Sequence, residues 1–451
     1  MNNRFFIRTF LLLAAALASA TGHAGLFTLE QAIEHALAHN PVLAARKSGV
    51  EAAAARREAA RGAHHPELGL SLSAVSTDNP LEVFGSKLNT RRVTAGDFDP
   101  ARLNDPNRQD IYHAQLALRV PVYRGGQLTA RSTAAAENAS AHERHYERTR
   151  ELVIFQTHQA YRQVQQAEQA VTIGLETANA ARDHARTTGA LARTGRTVVS
   201  DRLTAEVYQS AMESQHEQGI TRLEQARSAL RLTLGLTDGT AVEAAPLPAA
   251  VPNTPLPVLT ELETVAIARR TDLAAAHAQA RASGAELSGA RAAHRPRFDV
   301  IAARNHFDDR EATASSTTIM GVLSIDLYSG RRHSAGIDAA TAEAQAAQWQ
   351  VRALEQAIRH EVRSAHAALS GAIRRHALSQ GNVERARENV RLVRERYGQG
   401  RTILIDLLQA ERALLEARQE ELTARVQVLL GWAELDLATG KGTPPGDGAK
   451  P

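Results

Sequence analysis

Apolar positions along the chain follow two periods, and the switch between them occurs at corresponding places in each half. The stretch "FTLEQAIEHALAHNPVLAARKSGVEAAAARREAARGAHHP" reads as a short helix, a break at Asn40-Pro41, and a second helix stopped before Pro66. The period then becomes two. In "ELGLSLSAVS", Leu68, Leu70, Leu72 and Ala74 share one face, while Glu67, Ser71 and Ser73 share the other. In "HAQLALRVPVY", Ala114, Leu116, Leu118, Val120 and Val122 alternate with His113, Gln115, Arg119 and Pro121. The second half repeats the plan. Its helices end at Pro296, and the alternating sets are Phe298, Val300 and Ala302, then Ile319, Leu323, Ile325 and Leu327. Strands are therefore predicted over about 66–76, 111–123, 296–307 and 317–328. Alternation of this kind suits strands with one face in lipid, although the edge of a soluble sandwich produces it too. The first intervening segment, Thr77–Asp110, is rich in Asn, Asp, Gly and Pro and reads as a long loop outside any lipid.

Each strand pair gives way to a long helical pattern. Gln127–Arg193 would span about 100 Å as one helix. Its seam of Val153, Ala160, Val164, Ala167, Val171, Gly174, Ala178, Ala181 and Ala185 keeps coiled-coil spacing with small residues. In the second half, Ile337, Ala340, Ala344, Ala347, Val351, Leu354 and Ile358 follow 3-4 spacing, resumed at Val383, Ala386, Val390, Val393 and Tyr397. The interruption amounts to one stutter, which would locally unwind a supercoil. The returning helix, about 402–438, carries two seams. One is Ile403, Leu407, Ala410, Leu414, Ala417, Ala424, Val428 and Leu435; the other is Leu404, Leu408, Leu415, Leu422 and Leu429. Two seams require a neighbour on each side, as in a bundle or a closed ring of helices.

One phrase is written twice. "GRTVVSDRLTAE" starts at Gly195 and "GRTILIDLLQAE" at Gly400, with seven of twelve positions identical and an offset of 205 residues (400 minus 195). An internal duplication follows. The first repeat covers 25–245 with a helical hairpin over about 127–235, and the second covers 259–439 with a hairpin over about 330–438. A Pro-rich linker at 246–258 separates them, and 440–451 reads as a flexible tail. The expected fold is mostly α with a small β part, carrying four strands per chain. Four strands cannot close a barrel, and open sheet edges cannot lie in lipid. Two copies would supply eight strands and three would supply twelve.

Composition narrows the choice. The chain is 43% hydrophobic but only 4% aromatic, which favours closely packed helices over a thick core. Its 53 basic and 49 acidic residues are interspersed, and the lone "RGG" at Arg124–Gly126 is no tract, so no nucleic-acid partner is expected. Arg4, Arg8, the apolar run Phe10–Ala20, and the small residues Gly22 and Ala24 read as an export signal over 1–24. With no cysteine, neither a lipid anchor nor a disulfide nor a thiolate metal site is expected. Motifs for hydrolases, metalloproteases and nucleotide binding are missing, so no enzyme activity or cofactor is expected. His142 and His145 could share a helix face but lack a third ligand nearby, so no metal site is assigned.

The doubled plan, "LYSGRR" at 327–332, and "RYGQGRTILIDLLQAE" at 396–411 resemble the outer membrane efflux protein family, the TolC-like channels. The resemblance covers nearly all of the chain after the export signal. It implies a homotrimer with a twelve-stranded barrel in the outer membrane and a helical tunnel through the periplasm. Partners would be a periplasmic adaptor and an inner-membrane pump, and the role that of a passive exit duct in tripartite efflux. A duct for type I protein secretion is an alternative, to be separated by genomic neighbours. A periplasmic adaptor or scaffold without a pore is another, which lipid-facing strands disfavour.

The resemblance also carries residues. Asp406 takes the place of a family aspartate that rings the pore entrance, and Gln409 stands where a second ring aspartate would be. Tyr397 and Asp201 match a closing contact between the hairpins. Thr402 stands at the position of its arginine, with Arg401 beside it. Adaptor docking would fall on Gly195, Arg196, Thr197 and Val198 of the first turn and on Gly400 and Ile403 of the second. Read from the residues alone, Asp201 and Asp406 are helix-start carboxylates favoured by the N-terminal dipole.

Overall fold

The computed structural model describes residues 25–236 and 240–441. The expected export signal over 1–24, and 442–451 of the expected tail, lie outside them. In chain order, the first repeat runs β1 (Gly25–Phe27), α1 (Leu29–His39), α2 (Pro41–Gly62), β2 (Glu67–Thr77), α3 (Pro80–Asn89), α4 (Pro100–Asn104), β3 (Gln109–Tyr123), α5 (Gln127–Arg193), α6 (Val199–Leu234) and β4 (Val242–Ala244). The second runs α7 (Leu259–Arg269), α8 (Thr271–Ala292), β5 (Arg297–Asp308), β6 (Thr313–Ser324), α9 (Arg332–Gly398) and α10 (Leu404–Thr439). No helix among the described residues is long and apolar enough to cross a membrane. The chain divides into two compact units, one made of 49–143 and 275–352, the other of the remaining segments.

The first of these units holds a four-stranded antiparallel sheet in the order β2-β3-β5-β6. Register sets its faces, because side chains alternate along each strand. Leu68, Leu70, Leu72 and Ala74 stand opposite Leu118, Leu116, Ala114 and Tyr112. Val120 and Leu118 stand opposite Val300 and Ala302, which in turn oppose Gly321 and Ile319. These form one apolar face, and it is exposed at Leu68, Leu70, Leu72, Leu116 and Ile319. On the other face, His113 Nε2 and Gln115 Nε2 both bond the side-chain oxygen Oδ1 of Asn305 at 3.0 Å. The last strand is displaced from its expected span. β6 occupies Thr313–Ser324, so Ile325 and Leu327 lie beyond its end. The register is fixed by the tight turn at 309–312, where Asp309 N–H donates to the Ala312 carbonyl.

The expected loop between β2 and β3 has structure of its own, α3, a 3₁₀ turn at Ala95–Phe98 and α4. Each begins where the turn residues place a cap. Asn79 accepts from the Leu81 amide and Asp99 from the Ala101 amide, with Pro80 and Pro100 at the first helical positions. The segment is tied to the β5–β6 turn through Asp309, whose Oδ2 accepts from Arg92 Nε at 2.7 Å and from Thr90 and Gln109 at 3.1 Å.

In the helical unit, Thr28 and Gln31 form a reciprocal capping box that starts α1. Leu29, Ile33 and Ala36 then pack on Val153, Val164, Leu230 and Leu234. Strands β1 and β4 pair in parallel, an element absent from the sequence reading, since three residues show no period. Tyr161 fastens that pair. Its hydroxyl donates to the Phe27 carbonyl at 2.7 Å and accepts from the Ala245 amide at 2.8 Å. The Pro-rich linker is docked, with Leu247 buried against Leu422, Val426 and Leu429 of α10.

Both seams of α10 are used. Leu404, Leu408, Leu415, Leu422 and Leu429 are all buried, as are Leu407, Ala410, Ala424, Val428 and Leu435. Ile403 departs from its seam and is 64% exposed, because it is the N-cap residue, one position before the helix begins. On α9 the buried stripe runs Ile358, Val362, Ala365, Leu369, Ala372, His376, Ser379. The step of four between Ile358 and Val362 follows another step of four from Leu354, so the stutter lies there. Gly431 of α10 meets Leu369 so closely that an added methyl would stand 3.0 Å from Leu369 Cδ1.

Candidate functional site at the hairpin turns

Helices α5 and α9 end in the same way. The Gly195 amide donates to the Ala192 carbonyl at 3.1 Å and the Arg196 amide to Leu191 at 2.9 Å. In the second copy the Gly400 amide donates to Tyr397 at 3.0 Å and the Arg401 amide to Arg396 at 2.9 Å. This is the Schellman closure, which needs a left-handed residue after the helix. Gly195 and Gly400 supply it, at φ of 71° and 69°. An added methyl would meet nothing within 4 Å at either, so the backbone conformation alone selects glycine.

The next helices begin without a side-chain cap. Val198 and Ile403 occupy the N-cap positions and offer no oxygen to the free amides. Asp201 and Asp406, each third in its helix, place a carboxylate in the first turn, where the dipole favours negative charge. A threonine holds each carboxylate. Thr197 Oγ1 donates to Asp201 Oδ2 at 2.7 Å, and Thr402 Oγ1 donates to Asp406 Oδ2. The Thr-x-x-x-Asp unit is thus built twice, 205 residues apart (406 minus 201).

Arg196, Thr197, Asp201, Tyr397, Gly400, Thr402 and Ile403 line one groove of about 900 Å³ between the two turns. Gln409 and Arg401 are exposed, and the Arg401 side chain makes no bond among the described residues. The contact expected between Tyr397 and Asp201 is not formed within one chain. Asp201 is satisfied by Thr197 in its own turn, and the Tyr397 ring packs on Ala185, Ala205, Leu404 and Leu408.

A second polar cluster lies beside this apolar patch and escaped the sequence reading. Glu411 is 6% exposed and accepts through Oε1 from His184 Nε2 of α5 and Arg394 Nη2 of α9, each at 2.8 Å. Burial pushes its carboxyl up, but His184 and Arg394 outweigh that and hold it below the usual range. Tyr208 of α6 is pushed up to about 12, by burial first and by Glu411 second. A signal for this cluster was present: Glu411 sits between Leu408 and Leu415 at seam spacing, a charge where the pattern asks for leucine. Among the described residues, no group of three or more His, Asp or Glu side chains is arranged to hold a metal ion.

The outer membrane efflux protein family matches the chain over residues 32–236 and 263–441, one block for each repeat. No curated protein sequence matches it. Among solved structures, a membrane protein from Pseudomonas aeruginosa superimposes with a TM-score of 0.80 at 21% identity, covering 91% of this chain and 92% of that one. The Campylobacter jejuni CmeC outer membrane channel gives 0.82 at 17% identity, covering 93% and 87%. The open state of the Neisseria gonorrhoeae MtrE outer membrane channel gives 0.73 at 19%, covering 91% and 88%. At these identities the structures speak for the fold, and the matched sequence blocks speak for the family. With both copies of its repeat matched, the chain belongs to the outer membrane efflux protein family.

Proposed function

We propose that three copies of this chain close their sheets into one barrel and form the passive outer-membrane exit duct of a tripartite efflux system. One observation carries the reading. The four-stranded sheet ends on both sides in an unpaired strand, β2 and β6, and exposes a band of leucines on one face. An open edge with an apolar face is viable in lipid only if another copy completes the ladder. Three chains of four strands give twelve, enough to enclose a channel. Each added copy pairs its β2 with the β6 of its neighbour.

In this duct the turns at Gly195–Val198 and Gly400–Ile403 form the periplasmic entrance. Val198 and Ile403 are 60% and 64% exposed, which offers an apolar docking surface to a periplasmic adaptor. Threefold symmetry gathers three copies of Asp406 around the axis, where a ring of carboxylates attracts cations. Gln409, one turn further, leaves that ring single. An inner-membrane pump delivers the cargo, and the duct supplies no energy of its own.

The test is the oligomer. Purified mature protein in mild detergent is expected to run as a trimer and to conduct ions in a planar bilayer. A monomer that conducts nothing would reject the duct and leave the scaffold reading.

A further inference from the structure

The apolar face of the sheet changes character partway along β5 and β6. At the end joined to α8 and α9 it carries Phe298, Val300 and Ala302 on β5, with Leu323 and Ile319 on β6. Nearer the 309–312 turn, the same face carries Arg304 and His306 on β5, opposite Thr317 and Ser315 on β6. The other two strands stay apolar in these rows. Leu116 stands between Leu70 and Arg304, and Ala114 between Leu72 and His306. A polar patch two strands wide is therefore set into a leucine-bearing face.

Arg304 Nη1 donates to the Thr317 hydroxyl at 2.8 Å, and His306 Nδ1 is hydrogen-bonded to the Ser315 hydroxyl at 3.1 Å. Arg91 brings a second guanidinium, its Nη2 donating to the Ser315 carbonyl at 3.2 Å. Arg91, Arg304 and His306 are all exposed. Among the described residues, no carboxylate pairs with Arg304. Asp308 shares its face but lies about 13 Å further along the strand, where it accepts from the Arg310 amide at 2.7 Å. Asp110, one row beyond, pairs with Arg310 at 3.1 Å. Nor would a sister copy bring an acid, because β2 presents Leu68, Leu70, Leu72, Ala74 and Ser76 on this face.

A guanidinium turned toward lipid without an anion is strongly disfavoured, and several of its N–H donors remain after the bond to Thr317. Phosphate is the counter-ion that a planar guanidinium engages through two parallel bonds. We propose that Arg304, His306 and Arg91 bind the phosphorylated headgroup of an outer-leaflet glycolipid, whose acyl chains lie along Ile319 and Leu323. This rests on the duct reading above, in which the helices occupy the periplasm and the 309–312 turn faces the exterior. The patch then has the polarity of a lipid in that leaflet, with donors at the outer end and exposed apolar side chains toward the middle. Barrel strands are tilted, so Arg304 and Leu70, two strands apart in one row, lie at different depths.

The probe is purified lipid A, a phosphorylated acyl glycolipid, titrated into trimers in mild detergent and followed by native mass spectrometry. The natural chain is expected to bind enzymatically dephosphorylated lipid A at least about tenfold more weakly than lipid A itself. Arg304→Gln should lose about tenfold in affinity for lipid A and nothing for the dephosphorylated form. Arg304→Lys should keep part of the affinity, since the charge stays and the fork is lost. Arg119→Gln removes a cation from the opposite face and should change neither lipid. Equal losses in Arg304→Gln and Arg119→Gln would mean bulk attraction of charge and overturn the site. Displacement of lipid A by an equal concentration of inorganic phosphate would overturn it too, because a free anion would then suffice. Should Arg304→Gln not assemble, Arg304→Lys and His306→Gln decide, and unchanged affinity in both rejects the site. Trimers that conduct ions but do not distinguish the two lipids overturn the site alone. A natural chain that forms neither trimer nor pore overturns the duct, and the site with it.

Discussion

The Thr402 hydroxyl donates to the Asp406 carboxylate across one helical turn, and Thr197 does the same for Asp201 at the other hairpin. The bond uses one carboxylate oxygen and leaves Asp406 exposed, with its charge facing solvent. In the proposed trimer three such charges meet. Asp406→Asn is therefore expected to weaken block by multivalent cations at least about tenfold in a planar bilayer. Gln409→Asp should strengthen it by adding a second ring. Unchanged block in both variants would remove Asp406 from the pore lining.

Asp309 anchors the segment between β2 and β3. Its Oδ1 accepts from the Glu311 and Ala312 amides, and its Oδ2 from Ser86, Thr90, Arg92 and Gln109. Asp309→Ala should cost about 3 kcal/mol locally, since Arg92 and the two hydroxyls lose their acceptor. Limited proteolysis should then cut within 77–110 while the trimer stays intact. The pH dependence has a defined sign. Burial raises the Asp309 pKa, but Arg92, the Ala312 amide and Thr90 outweigh it, so the folded value is lowered. The anchoring contribution is fully present above the ordinary carboxylate range and is lost as pH falls through the lowered value. Protease protection that already fails near neutral pH would contradict this assignment.

Much of this architecture was legible in the chain because its signals are periodic. Leu68, Leu70 and Leu72 announce a strand face, and the bounds Gln127 and Arg193 of α5 follow from a glycine pair at one end and Gly195 at the other. The period of α9 failed at the stutter between Ile358 and Val362, both apolar and buried, and elsewhere a polar side chain had taken a seam position. His376 and Ser379 continue the buried stripe of α9, and Glu411 continues that of α10, so hydrophobicity alone does not mark these seam positions. The β1–β4 pair was invisible for another reason. It is held by Tyr161 from far along the chain, and no local pattern encodes such a bond.

Gly195 and Gly235 share a left-handed backbone, at φ of 71° and 70°, but not their surroundings. A methyl on Gly195 would stand in open space, whereas one on Gly235 would lie 2.5 Å from the His39 carbonyl oxygen. Gly195→Ala is expected to cost about 1 kcal/mol, the backbone term alone. Gly235→Ala should cost about 3 kcal/mol or more, because main-chain atoms of α1 must move as well. Chemical denaturation followed by helical circular dichroism separates the two. Equal losses would show that the α1 contact is not as close as the geometry requires.

The orientation of the sheet can be tested at two adjacent residues. Leu70 opposes Leu116 on the apolar face, and Ser71 opposes Gln115 on the face that carries Asn305. Both positions are exposed in the single chain, so packing within it does not distinguish them. Lipid does. An arginine near the middle of the lipid-facing band costs about 2–4 kcal/mol, whereas one facing a water-filled lumen costs little. Leu70→Arg is therefore expected to abolish or sharply reduce folding into lipid vesicles, and Ser71→Arg to leave trimers intact while shifting ion selectivity toward anions. The reverse outcome would mean that the leucine face points inward. Equal tolerance of both would mean that neither face meets lipid, and the sheet would then have to be completed in water.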